Sequence, residues 1–191
     1  MKELVKLKKI ISVILVLMLA LTLGACGDKN KTDAHKHDSQ QTEENKITGM
    51  IYGVSSADKD SIVSTEFTAN GGVVTPERIS AGLSGWTGLK FRVSVQTDEA
   101  AKTIRVDWLP ESSLNENTIP ETLRDNFSFA SVKDLHVFML NSYCYSIQAN
   151  LGDSYDIFYT LNGEDISKLG IEGLSSDTAF NKTESAYVFV K

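Results

Sequence analysis

The stretch SVKDLHVFMLNSYCYSIQANLG, residues 131–152, decides how this chain folds. Ser131 followed three places on by Asp134 has the form of a capping box with an aspartate at the far position. Beyond it, Val137, Leu140, Cys144, Ile147 and Leu151 step by 3, 4, 3 and 4. That spacing predicts one apolar stripe of a long helix, ended by Gly152.

Outward from this helix the period changes to two. Upstream, Phe91, Val93 and Val95 alternate with Arg92, Ser94 and Gln96. After a turn over Asp98 to Lys102, Ile104, Val106 and Trp108 alternate with Arg105 and Asp107. The two runs predict a hairpin, which Pro110 ends. Downstream, Ile157, Tyr159 and Leu161 predict a strand closed by Asn162-Gly163. Further upstream, Thr75-Pro76-Glu77 opens a second helix, in which Ile79, Leu83 and Trp86 share a face and Gly85 and Gly88 bring the end. Ile47 to Val54 and Ile62 to Ala69 read as two more strands joined by a turn at Ala57 to Asp60. Pro120 to Asn126 reads as a short helix and Ala186 to Val190 as an edge strand. The order is hairpin, helix, hairpin, helix, strand. It predicts the α+β class, a small sheet with helices packed on one face.

The amino-terminal segment follows different rules. Lys2, Lys6, Lys8 and Lys9 precede an uncharged run from Ile10 to Leu23, and then come Gly24, Ala25, Cys26 and Gly27. The run is about 14 residues, suited to a signal core and short of the ~20 that span a bilayer. Leu23-Gly24-Ala25-Cys26 resembles the bacterial lipobox, whose cysteine thiol is acylated and becomes the mature amino terminus. Ordinary secretion and a short uncleaved anchor are the competing readings. Residues 27–46, GDKNKTDAHKHDSQQTEENK, hold one apolar residue, Ala34, too little to offset the entropy of ordering. The predicted organisation is a signal peptide over 1–25, a lipidated cysteine and disordered tether over 26–46, and a folded domain over 47–191. It places the domain on the extracytoplasmic face of the cell membrane.

The chain carries 19 basic and 25 acidic residues, and losing the leader makes it more acidic still. That balance argues against nucleic acid or an anionic lipid surface as a partner, because phosphate recognition needs clustered Lys and Arg. If Cys26, one of two cysteines, is acylated, Cys144 has no partner for a disulfide. Cys144 and His136 sit eight apart on the predicted helix, about 12 Å along its axis. A nucleophile–base pair needs contact near 3 Å, so they form none. Cys144 belongs to the stripe and reads as a small buried hydrophobe; His136 lies off it and reads as solvated or locally bonded. Asp58 and Asp60 lack the remaining ligands of a calcium loop, and His35-Lys-His37-Asp38 lies in the tether. No catalytic residue, metal ligand or cofactor site is predicted; Cys26 is the one modified position. Trp86, Trp108, Tyr143 and Tyr145 suit either core packing or the walls of a pocket.

From about Val74 onward the pattern resembles the GerMN domain, the sporulation and germination module of bacterial envelope lipoproteins. The resemblance rests on Thr75-Pro76-Glu77, Phe91-Arg-Val-Ser-Val95, Thr103-Ile-Arg-Val-Asp-Trp108, the long helix to Leu151, and Tyr155-Asp-Ile-Phe-Tyr-Thr-Leu-Asn-Gly163. Asn162-Gly163 stands where that family has a Gly-containing turn, and Gly170 to Leu174 where it has a small loop. Trp108, where family members often have a small polar residue, and the insertion from Ser112 to Ala130 depart from the pattern. The resemblance implies a fold related to ring-building modules of secretion and sporulation machines, which associate edge to edge. It implies a Gram-positive spore-former or a relative as source, and no catalytic residues. Together with the leader it predicts a non-enzymatic assembly module whose partners are other envelope proteins or copies of itself. The alternative is a lipoprotein that binds a small molecule or a cell-wall fragment.

Overall fold

The computed structural model describes residues 46–54 and 61–186. The leader, Cys26, the tether up to residue 45, the turn over 57–60 and the terminal run 187–190 lie outside the described residues.

Two strands come first. β1 (Lys46–Val54) pairs antiparallel with β2 (Ile62–Asn70) over nine residue pairs, as a sheet of its own. α1 (Pro76–Thr87) follows for the reasons its first turn gives. The Thr75 hydroxyl accepts from the Arg78 amide, Pro76 gives up no needed donor, and Glu77 lies in the positive first turn. Gly85 lies inside this helix. Gly88 ends it, because its φ of 81° is the left-handed geometry that lets its N–H close back on the Ser84 carbonyl.

β3 (Val93–Asp98) and β4 (Thr103–Trp108) make the predicted hairpin. Asp98 holds its turn by accepting from the amides of Ala100 and Ala101. Phe91 precedes the strand and lies in the core, its amide bonded to the Ser84 hydroxyl. α2 (Val132–Leu151) is the long helix, capped by the Ser131 hydroxyl on the Asp134 amide and closed at Gly152. β5 (Asp156–Leu161) then returns parallel to β4, Ile104 beside Ile157 and Val106 beside Tyr159. α2 is therefore the crossover that two parallel strands require. Asn162 and Gly163, both at positive φ, turn the chain into β6 (Glu164–Asp165), and the sheet order is β3-β4-β5-β6.

The α+β class holds, with helices packed against a small sheet. Ile104, Val106 and Trp108 of β4 and Ile157, Tyr159 and Leu161 of β5 form the inner face. Trp108 meets Tyr143 of α2 edge-on at 5.5 Å and Tyr159 at 5.8 Å. The Tyr143 hydroxyl donates to the Pro76 carbonyl and the Tyr159 hydroxyl to that of Leu140, so each buried phenol has a partner. α2 is buried well beyond its predicted stripe: Leu135, Phe138, Met139 and Tyr143 are as covered as Leu140, Cys144 and Ile147. The reason is the first hairpin, which packs on α2 as well.

The segment 120–126 is not helical but a pair of turns. Two of its groups are committed elsewhere, the Arg124 amide donating to the Thr87 carbonyl and the Thr122 hydroxyl to that of Gly88, while its local bonds, Leu123 N–H to Pro120 and Phe127 N–H to Arg124, close single turns. Tertiary bonds to the end of α1 replace the local ones a helix would use.

Candidate functional site

The two groups with chemical potential inside the domain are both withdrawn from solvent. Cys144 is fully buried, and burial pushes its thiol well above the ordinary range, which disfavours the thiolate that a nucleophile or ligand needs. His136 is 8% exposed, not solvated, with Nε2 3.3 Å from the Glu116 carbonyl, twenty residues away in sequence. Desolvation lowers its pKa, and the bond to Glu116 opposes that less strongly. Among the described residues no group of three His, Cys, Asp or Glu is placed to hold a metal ion.

The aromatic residues divide. Trp108 and Tyr143 are core. Trp86 is half-buried and packs edge-on against Phe127 at 5.1 Å, and Tyr145 lies at 5.0 Å from Tyr52. Phe127, Phe129 and Phe138 wall an open niche of about 230 Å³ beside Val63. A larger depression of about 500 Å³ over residues 172–185 is lined by Glu172, Lys182, Thr183 and Glu184 and has no aromatic wall.

What remains is surface. The first hairpin has two edges that differ sharply. On the outer side of β1, the amides of Met50, Tyr52 and Val54 donate to Asn150 Oδ1, Ser146 Oγ and Ser142 Oγ of α2, at 3.1, 2.9 and 3.0 Å. Asn150 Nδ2 donates back to the Met50 carbonyl. The spacings fit because four helical residues rise about 6 Å and two strand residues about 6.6 Å. A helix row at i, i+4, i+8 thus stands in for a third strand. On β2 the residues opposite Met50, Tyr52 and Val54 are Glu66, Ser64 and Ile62. Their N–H and C=O groups point away from β1 by the antiparallel alternation. Among the described residues no strand pairs with that edge. Ile62 and Val63 at its start are 38% and 53% exposed.

The second surface is the face of the larger sheet away from the helices. Register places Gln96, Arg105 and Phe158 in one row across β3, β4 and β5, and Ser94, Asp107 and Thr160 in the next. They border a shallow depression of about 240 Å³. The Arg105 guanidinium lies 4.7 Å above the Phe158 ring. Asp107 Oδ1 accepts from the Thr160 hydroxyl and the Gly163 amide, each at 2.8 Å. The alternation of Arg105 and Asp107 was visible in sequence; their neighbours on β5 were not, since nothing in the pattern says which strand lies beside β4.

No helix among the described residues is long and apolar enough to cross a membrane. No family model and no solved structure matches the chain. An uncharacterized lipoprotein of Listeria monocytogenes is 32% identical to it over 121 residues, which are 60% of this chain and 78% of that protein. Likeness at that level over most of the relative's length means that the chain belongs to the same family as this Listeria lipoprotein.

Proposed function

We propose that the chain is a lipoprotein held by acylated Cys26 at the outer face of the cell membrane, and that it works without catalysis as a docking module. Its partners are other envelope proteins or further copies of itself. The Leu23-Gly24-Ala25-Cys26 site and the lipoprotein relative support the anchor. The GerMN resemblance supports a setting in sporulation or germination. The observation that carries the docking reading is the asymmetry of the first hairpin: β1 is sealed by α2, while the nine-residue edge of β2, led by exposed Ile62 and Val63, pairs with no strand among the described residues. An open edge of that length is a template for strand addition. Anchoring confines the copies to a layer and raises their effective concentration, so weak edge contacts can sum to assembly.

Ser64→Pro tests this cleanly. The Ser64 amide faces away from β1, so proline costs the hairpin no ladder bond and blocks an incoming strand. With a photocrosslinker at Thr68 in the full-length, membrane-held chain, Ser64→Pro should cut crosslinked products at least tenfold and leave melting unchanged. Full crosslinking in the proline variant, or an equal yield from a probe at Lys133 on α2, would count against the edge.

A further inference from the structure

We infer that the uncovered face of the larger sheet binds a neutral glycan chain, through the two rows Gln96–Arg105–Phe158 and Ser94–Asp107–Thr160. A solvated sheet face needs only polar side chains. This one combines short hydrogen-bonding groups, a half-buried aromatic ring and one fixed cation around a depression. The cation is preorganised. The Arg105 guanidinium lies 4.7 Å over the Phe158 ring, a cation–π contact that restrains the side chain before any ligand arrives, and it forms no ion pair among the described residues. Asp107 is fixed too: Thr160 and Gly163 hold Oδ1 and leave Oδ2 to accept.

The donors and acceptors match adjacent sugar hydroxyls. Each hydroxyl both donates and accepts, so one can donate to Asp107 Oδ2 while its neighbour accepts from Arg105. Gln96 and Ser94 offer both roles, and the Thr160 hydroxyl, its proton given to Asp107, can still accept. Charge favours neither sign: Arg105 and Asp107 offset each other, and Asp156 beyond them is paired with Lys182 at 3.3 Å, so the face carries no net charge to draw an anionic polymer. The depression is open rather than enclosed, which suits a polymer laid across it. This choice rests on the anchoring proposed above, which would put the face beside the cell wall, whose glycan backbone is such a neutral polymer. These residues are distinct from those of the β2 edge, so either reading can fail alone.

The test uses the full-length chain in detergent with two probes, protein-free peptidoglycan sacculi and a soluble N-acetylglucosamine tetramer. The chain should co-sediment with sacculi, and the tetramer should compete while a polyuronate of similar length does not. Arg105→Ala and Gln96→Ala remove exposed side chains; each should weaken binding about tenfold with melting unchanged. Arg105→Lys should not restore it, since lysine cannot stack and fork. Ser64→Pro should bind as the parent does. Three results would overturn the assignment: no sedimentation of the parent chain, sedimentation unchanged in the double variant Arg105→Ala/Gln96→Ala, or better competition by the polyuronate than by the neutral tetramer.

Discussion

His136 shows what burial does to a residue that the sequence leaves ambiguous. The Glu116 carbonyl can only accept, so Nε2 is the protonated nitrogen of the neutral ring. Desolvation holds its folded-state pKa below the ordinary 6.5. The unfolded chain therefore takes up a proton near pH 6.5 that the folded chain resists. The resulting stability is complete above about pH 6.5, declines as pH falls beneath it, and levels off below the folded pKa. Melting followed from about pH 7.5 down to 5 should fall more steeply in the parent than in His136→Gln. Cys144 makes the opposite case, legible from its place on the stripe. Its thiol should stay inert to alkylating reagents until the domain unfolds, and Cys144→Ala should cost about 1–2 kcal/mol in a denaturant titration. Rapid labelling of the native protein would contradict its burial. Trp108, which departs from the GerMN pattern, is explained by its neighbours: Phe91, Tyr143 and Tyr159 ring it at 5.5 to 5.9 Å. Its Nε1 finds no acceptor among the described residues.

Among the elements, those with local signals were legible. α1 and α2 announce themselves by caps and periodicity, and β3, β4 and β5 by alternation, because these patterns reflect which side faces the core. What sequence hid were relations between elements. Alternation is the same in parallel and antiparallel strands, so the parallel pairing of β4 with β5 had no signature. Ser142, Ser146 and Asn150 read as the polar side of an amphipathic helix, yet they bind β1. Pro120 to Asn126 failed for the same reason, since its bonding partners lie on α1. Ser146→Ala leaves the Tyr52 amide without its acceptor and should cost about 1–3 kcal/mol. Amide exchange at Tyr52 should quicken, while exchange in β4 and β5 changes only with global stability. Gly49 belongs to the same contact. A Cβ there would lie 2.5 Å from a Phe67 ring carbon and 2.8 Å from Asn150 Oδ1, so Gly49→Ala should loosen the hairpin from α2.

At the scale of the molecule, α2 is the common support of both sheets, and one charge in it should undo everything. Leu140 is 1% exposed, and Leu140→Asp should abolish cooperative unfolding as seen by circular dichroism. Cys26→Ser should leave the chain unprocessed or free of the membrane fraction; retention with a labelled acyl chain would refute the anchor. The row of bonds between β1 and α2 also has a mechanical meaning. β1 begins at Lys46 and runs opposite to α2, Met50 beside Asn150 and Val54 beside Ser142. Tension entering through the residues before Lys46 pulls along β1, so its three rungs to α2 are loaded together in shear rather than peeled one by one. A domain hung from its amino-terminal side thus resists a steady tug with its bonds acting in parallel. In single-molecule stretching from that side, Ser146→Ala should lower the rupture force.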